Sequence, residues 1–297
     1  MMTPSTQGQI TLVFCNIRKG EHVEAACEWI REQTPHVVLW QETQARDLLH
    51  VQARLEMHGY PAARTSASGN DNVIFLRDDG PFAVTQKHRH PWAGWHAPAN
   101  VSVRMRNTDG QLSPRSLSLT SEHSCYWSAD RRMDEANWYT TLAKDGWLAI
   151  AAGDWNGYAQ NEGPTEDGSR RTDDRGDRIL TAAGFVDAAR WAAEHLGLSD
   201  ALKPTAGYGK EKARQGGASR IDRAYLSEAL GPAIETFRIA DTERTRRMSD
   251  HLPGVLTLHR HILAELLNST SATGNQGSPD GPKHPHGVPT LHRDETS

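Results

Sequence analysis

The stretch Trp147-Leu-Ala-Ile-Ala-Ala-Gly-Asp-Trp-Asn156 decides how this chain is read. Residues 147–152 form a continuous apolar run, too short to cross a membrane and about as long as a core strand. Gly153 breaks the pattern and is expected to let the backbone turn. Asp154 and Asn156 follow two positions apart, so extended backbone would point them to one side. Taken alone, an Asp and an Asn at the mouth of a strand also suit an ordinary turn. The neighbouring segments shift that balance.

Upstream, residues 10–15 are apolar and end at Asn16, and residues 37–40 are apolar and end at Gln41-Glu42. Between them, Val23, Ala26, Cys27 and Ile30 recur at helical spacing. This strand–helix–strand opening predicts an α/β layer. A second helix is expected over 48–57. Short strands are expected over 72–76, 82–85, 101–105 and 116–120, separated by Gly, Pro, Asp and Asn. Trp92, Trp95 and His96 fall in a Pro/Gly loop between them, and residues 129–143 predict a helix with Met133, Ala136 and Leu142 on one face. Downstream, a charged loop over 161–177 leads to a helix near 177–183. A Gly/Lys/Arg-rich loop over 203–219 leads to strands at 220–226, 233–239 and 254–258. From Ser269 onward Ser, Thr, Gly, Pro and Asn replace apolar residues, as in a disordered tail.

Composition narrows the class. The 297 residues allow one large domain plus a tail. A net charge of −4 gives no basic field over the whole protein, so a polyanion would need a local patch. Three cysteines, Cys15, Cys27 and Cys125, argue against a disulfide framework and suit a reducing compartment. No secretory pattern opens the chain and no apolar run is long enough to span a bilayer. The expectation is a soluble, cytoplasmic protein with no membrane contact and no evident protein partner.

Several predicted strands end in related polar groups: Asn16, Glu42, His123, Asp154 with Asn156, Asp222 in Arg220-Ile-Asp222, and Ser249-Asp-His251 before the last strand. Acids, amides and histidines gathered at one edge of a β core suit phosphodiester hydrolysis. A hard divalent cation needs carboxylate oxygens, water needs an orienting base, and the phosphorus centre needs cationic or hydrogen-bonding partners.

In motif order, Phe14-Cys-Asn16, Gln41-Glu42, Glu122-His-Ser124, Gly153-Asp-Trp-Asn156, Arg220-Ile-Asp222 and Ser249-Asp-His251 resemble the endonuclease/exonuclease/phosphatase superfamily, over about residues 8–260. The resemblance implies an α/β (α+β) fold, a four-layer αββα sandwich of two packed mixed β-sheets of the DNase I-like kind. It implies a catalytic domain over 8–265, with 269–297 as the tail, and Mg²⁺-dependent phosphoester cleavage, with Mn²⁺ as a possible substitute. Residue by residue, Glu42 resembles the principal metal ligand, Asn16 the residue that orients it, and Asp250 a second metal-site carboxylate. Asp154 resembles the acid that prepares the nucleophilic water, and Asn156 its amide partner on a phosphate oxygen. His251 resembles the histidine at the scissile phosphate, with Asp222 fixing its tautomer. His123 stands where DNase I-like nucleases keep a second histidine. The chain departs from the pattern in Cys15 before Asn16, in Arg18-Lys19 after it, and in the loop carrying Trp95 and His96.

The same plan serves nucleases, inositol-phosphate phosphatases and lipid phosphodiesterases. Basic residues outside the motifs, Arg131, Arg170, Arg171 and Arg214 with Arg175 and Arg178, could meet a nucleic-acid backbone, although Asp173, Asp174 and Asp177 dilute that field. The leading expectation is a nuclease on DNA or RNA. The alternatives are a phosphatase or a lipid or inositol phosphodiesterase, and a binding protein that keeps the fold without turnover.

Overall fold

The computed structural model describes residues 8–63, 70–90, 94–162, 173–207 and 218–269. Except for Ser269, the expected tail lies outside them. The first sheet takes β1 (Gln9–Asn16), β2 (Val37–Gln44), β3 (His58–Pro61) and β4 (Asn70–Leu76) from the start of the chain. The second takes β5 (Phe82–His88), β6 (Ala99–Met105), β7 (Leu117–His123), β8 (Leu148–Asp154), β9 (Phe185–Asp187) and β10 (Asp222–Ser227). The last two strands, β11 (Ile234–Ile239) and β12 (Gly254–His259), return to the first sheet. The strand orders are β11-β12-β1-β2-β4-β3 and β5-β6-β7-β8-β10-β9. Both sheets are mixed: β1 and β2 run parallel, as do β7 and β8, and the other neighbours run antiparallel.

Strand periodicity explains the unbroken apolar runs. Leu12, Phe14, Val37, Leu39, Leu148, Ile150 and Ala152 point between the sheets into one shared core. Their alternates face outward and are covered by helices. Val13, Cys15, Val38 and Trp40 meet α1 (Val23–Glu32), α2 (Leu48–Leu55) and Met248 of α6 (Glu243–Met248). Ala149, Ala151 and Tyr225 meet Ala136 and Tyr139 of α3 (Ala129–Tyr139) and Leu180 of α4 (Arg175–Ala182). Two further helices, α5 (Ala188–Leu196) and α7 (Arg260–Asn268), add Ala192, Leu263 and Leu267 to the inter-sheet core. With both faces buried, these strands have no polar alternation to show. The expected helix–sheet–sheet–helix sandwich is thus present.

Some expectations change. The predicted helix over 129–143 is α3 followed by a 3-10 stretch, Thr140–Gly146. Its buried face is Arg132, Glu135, Ala136 and Tyr139, with Met133 only partly covered. Gly153 makes no turn. It lies inside β8, paired with Arg223, and a Cβ there would collide with the Glu122 carbonyl and press on the Gln41 side chain 2.9 Å away. Glycine is needed there for close approach, at a φ of +150°.

Candidate active site

The parallel pairs bring polar residues to one edge of the sandwich. Asn16 closes β1 opposite Gln41 of β2, and His123 closes β7 opposite Asp154 of β8. Asp222 opens β10 opposite the same Asp154. Beneath them Gln41 latches the sheets together: its Nε2 donates to Ser121 Oγ at 2.8 Å and to the Leu39 carbonyl at 3.0 Å.

Glu42 reaches the edge through an irregularity. The pairing of β2 with β4 slips between Trp40 and Thr43, and Glu42 adopts a left-handed φ of +61°. A bulge of this kind re-aims a side chain. Its carboxylate accepts from Asn16 Nδ2 at 3.0 Å and from the Lys19 backbone N–H at 3.0 Å. Arg18 and Lys19 are themselves left-handed, and the Arg18 N–H donates to Asn16 Oδ1 at 2.9 Å. The departure after Asn16 therefore builds a tight backbone cradle around Glu42. Strain held in this way clusters at functional sites.

Asp154 is 2% exposed and joins the two sheets. One carboxylate oxygen, Oδ1, accepts from the Asn156 N–H at 2.9 Å, the short-range turn that sequence suggests. The other, Oδ2, accepts from Asn16 Nδ2 at 3.2 Å. The same oxygen faces Nε2 of His123 at 3.7 Å and Nε2 of His251 at 3.8 Å. The turn reading of this residue is met, and its second oxygen is left facing the amide and the two imidazoles. Asn156 has a φ of +48°, a conformation Asn tolerates better than most residues, and its Nδ2 donates to the Ser124 carbonyl at 3.0 Å. An amide nitrogen has a second hydrogen to offer.

His251 carries the clearest electrostatic feature. Its Nδ1 lies 2.8 Å from Asp222 Oδ2 and 3.0 Å from Oδ1. Burial disfavours the imidazolium, but the carboxylates of Asp222 and Asp154 more than offset it, and the pKa is held up at about 10. That balance favours the imidazolium, with Nε2 turned toward Asp154.

The whole match supports one assignment. The endonuclease/exonuclease/phosphatase family profile fits residues 14–251. The chain belongs to the endonuclease/exonuclease/phosphatase family. Among solved structures sharing the fold is an endonuclease/exonuclease/phosphatase from Bacteroides vulgatus, with TM-score 0.62 and 16% identity over 84% of this chain and 98% of its own. D. rerio TDP2 complexed with a single-strand DNA product has TM-score 0.59 and 16% identity, over 84% and 98%. A Bacteroides thetaiotaomicron mannosyl-6-phosphatase has TM-score 0.58 and 16% identity, over 83% and 98%. At these identities the likeness speaks to fold alone. No curated protein matches the chain in sequence.

Within this endonuclease/exonuclease/phosphatase chain, ligand atoms of Asp154, Asp222 and His251 lie within 4.8 Å of one another, a possible metal-holding group. Asp222, however, is engaged with His251 Nδ1. Glu42 and Asp154, bridged by the Asn16 amide, offer the hard oxygen donors that a divalent cation prefers. Asp250 stands at the rim, its side chain 38% exposed and 3.9 Å from Arg18 Nε. Of the basic residues, Arg170, Arg171 and Arg214 lie outside the described residues. Arg175 is bound by Asp173 and Asp130, and Arg178 by Asp174, so both are largely neutralised. Arg131 lies against the rings of Trp95 and Trp127, 5.3 and 5.0 Å from their centroids.

Behind the site lies a buried layer that the sequence reading gave no role. His96 stacks on His123 with centroids 4.2 Å apart. Glu122 accepts from Ser124 Oγ at 2.8 Å and from the Tyr139 hydroxyl, and burial, reinforced by Glu135, pushes its carboxyl well above the usual range. Only the adjacency of Glu122 to His123 hinted at it. Glu135 gave no local signal, and Gln41 stood out only as the neighbour of Glu42, because its latch to Ser121 joins segments distant in the chain.

Proposed function

We propose that this chain is a divalent-metal-dependent phosphodiesterase that cleaves nucleic acid, with Mg²⁺ as the resident ion and Mn²⁺ able to replace it. The catalytic unit is assigned to residues 8–265. The observation that carries the reading is the placement of two imidazole nitrogens against Asp154 Oδ2, at 3.7 and 3.8 Å, with Asp222 holding the far side of His251. A lone Asp–His pair is common. One aimed at a second buried acid from across two sheets fits a hydrolytic centre.

Glu42, Asn16 and Asp154 would hold the ion, and the ion would supply positive charge to a phosphate oxygen. Asp154 orients the attacking water and takes its proton. His251, kept protonated, donates from Nε2 to a non-bridging oxygen, and Asp222 fixes its ring. Asn156 donates its remaining amide hydrogen to the phosphate without repelling it, as a carboxylate would. His123 donates to the leaving oxygen. Arg131 and the loop arginines Arg170, Arg171 and Arg214 are assigned to the substrate backbone.

The test is a cleavage screen on supercoiled DNA, abasic duplex, single-stranded RNA and small phosphomonoesters, with Mg²⁺, Mn²⁺ or EDTA. Metal-dependent strand scission is the expected result. Phosphate release from a monoester without scission would replace the nuclease by a phosphatase. No turnover on any substrate would leave a binding protein with this fold.

A further inference from the structure

Beside the site, two segments from different parts of the second sheet present aromatic rings to one guanidinium. Trp95 and Trp127 meet edge to face, with centroids 5.4 Å apart. Arg131 lies over both rings, and no carboxylate pairs with it among the described residues. Trp95 is 38% exposed. The ledge is held from behind by Glu135, whose carboxylate accepts from the Trp95 N–H at 2.7 Å and the Cys125 N–H at 3.0 Å. Ser128 caps α3 and accepts from the Arg131 N–H, which fixes where that residue leaves the helix. The ledge adjoins the candidate site: His96, next to Trp95, stacks on His123, which faces Asp154.

We infer that Trp95, Trp127 and Arg131 form a stacking subsite for an unpaired nucleobase next to the scissile phosphate. The inference rests on the nucleic-acid reading above and adds a substrate class to it. Indole rings and a guanidinium with no acid partner among the described residues fit a ligand with both a π-face and a negative charge, which is what a nucleotide offers. A sugar phosphate has the charge and lacks the face. A base inside a duplex already has both faces stacked, so the ledge selects a single strand or a frayed end. Because Glu135 fixes the ledge before binding, little ordering remains for the substrate to impose.

The experiment compares two labelled single strands in Mg²⁺: an ordinary DNA oligonucleotide, and a chain of tetrahydrofuran abasic units with the same phosphodiester backbone and no bases. Trp95→Ala and Trp127→Ala should lower kcat/KM on the DNA strand by about 5- to 100-fold, mainly through KM, the fold-change that base–aromatic stacking supports. The rate on the abasic chain should stay within about twofold of wild type, and Trp95→Phe should recover most of the loss on DNA. Equal losses on both strands, or no loss on either, would overturn the subsite while leaving the phosphodiesterase intact. A wild-type protein that cuts neither strand would remove the nuclease reading itself. A fold-independent check uses wild-type protein in EDTA and a strand carrying 2-aminopurine. Quenching on binding is expected, and binding without quenching would overturn the subsite.

Discussion

Asp154 is asked to do two things with two oxygens. Oδ1 closes the turn to Asn156, and Oδ2 faces the Asn16 amide and the two imidazoles. Asp154→Asn keeps an oxygen for the turn but removes the charge and the proton acceptor. Turnover should fall about 10²- to 10⁴-fold, with a thermal unfolding midpoint close to wild type. Wild-type rates in a folded Asp154→Asn protein would take the residue out of the reaction. Asp222→Asn should act less severely, by about 10- to 100-fold, because it loosens the ring that His251 presents and touches no substrate. Steady-state kinetics with circular dichroism on both variants checks the ranking. At this scale sequence reading singled out residues whose chemistry shows in their type, such as an Asp before Trp-Asn or an Asp-His pair, and the fold brings their side chains together. It could not find Glu135, nor the bond Gln41 makes to Ser121, because both act across distances invisible in the chain.

Elements carry these residues by register, and the tightest register is at the end of β8. Gly153 sits where the β7 backbone and a side chain from the opposite sheet close in. Gly153→Ala must push one of them away, and should cost at least about 2 kcal/mol of stability as well as activity. Denaturant unfolding reads the loss, and an unchanged midpoint would refute the close-approach account. His36 stands just before β2 and ties it to β1 by accepting the Thr11 N–H on Nδ1 at 3.0 Å. Burial, with Arg77 adding to it, lowers its pKa from 6.5 to about 4. The unfolded chain therefore binds this proton more readily than the folded one. Stability should be full above pH 6.5 and fall as pH drops toward 4, by up to about 3 kcal/mol from this group. His36→Asn should flatten that part of the pH–stability curve, and an identical acid slope in the variant would show that His36 does not titrate with unfolding. The long apolar strands were legible because both faces are buried. Some missed elements were short or unpunctuated, although α5 was missed with Asp187 before it and Gly197 after it. β3 is His58-Gly-Tyr-Pro61, with the residues of a turn, and β9 has three residues. α7 follows β12 with no Gly or Pro to mark the change, although Leu263 and Leu267 carry helical spacing.

For the molecule as a whole, the candidate site draws on both sheets. The first supplies Asn16, Glu42 and His251 from its strand ends and the adjoining loop, and the second supplies His123, Asp154 and Asp222. Neither half holds both an acid cradle and a histidine dyad, so the site exists only while the sandwich is closed. The cysteines report on the same closure. Cys15, Cys27 and Cys125 are buried and free, and burial pushes each thiol up, Cys27 to about 12. A thiol reagent should label none of them in native buffer and all three in denaturant, and rapid native labelling would contradict the packing. Membership of the family was legible because six short motifs keep their order at strand ends. The substrate was not, because the groups that choose it lie on loops whose residues come together only in space. The central claim is that acids from opposite sheets form one hydrolytic centre. A double-mutant cycle on Glu42→Gln and Asp154→Asn, read as Mg²⁺-dependent cleavage of a single-stranded oligonucleotide, tests it most directly. If the two act as a unit, each single variant loses at least about 100-fold and the double is no worse than the weaker single by more than a few-fold. Losses that multiply independently, or folded variants that cleave like wild type, would contradict it.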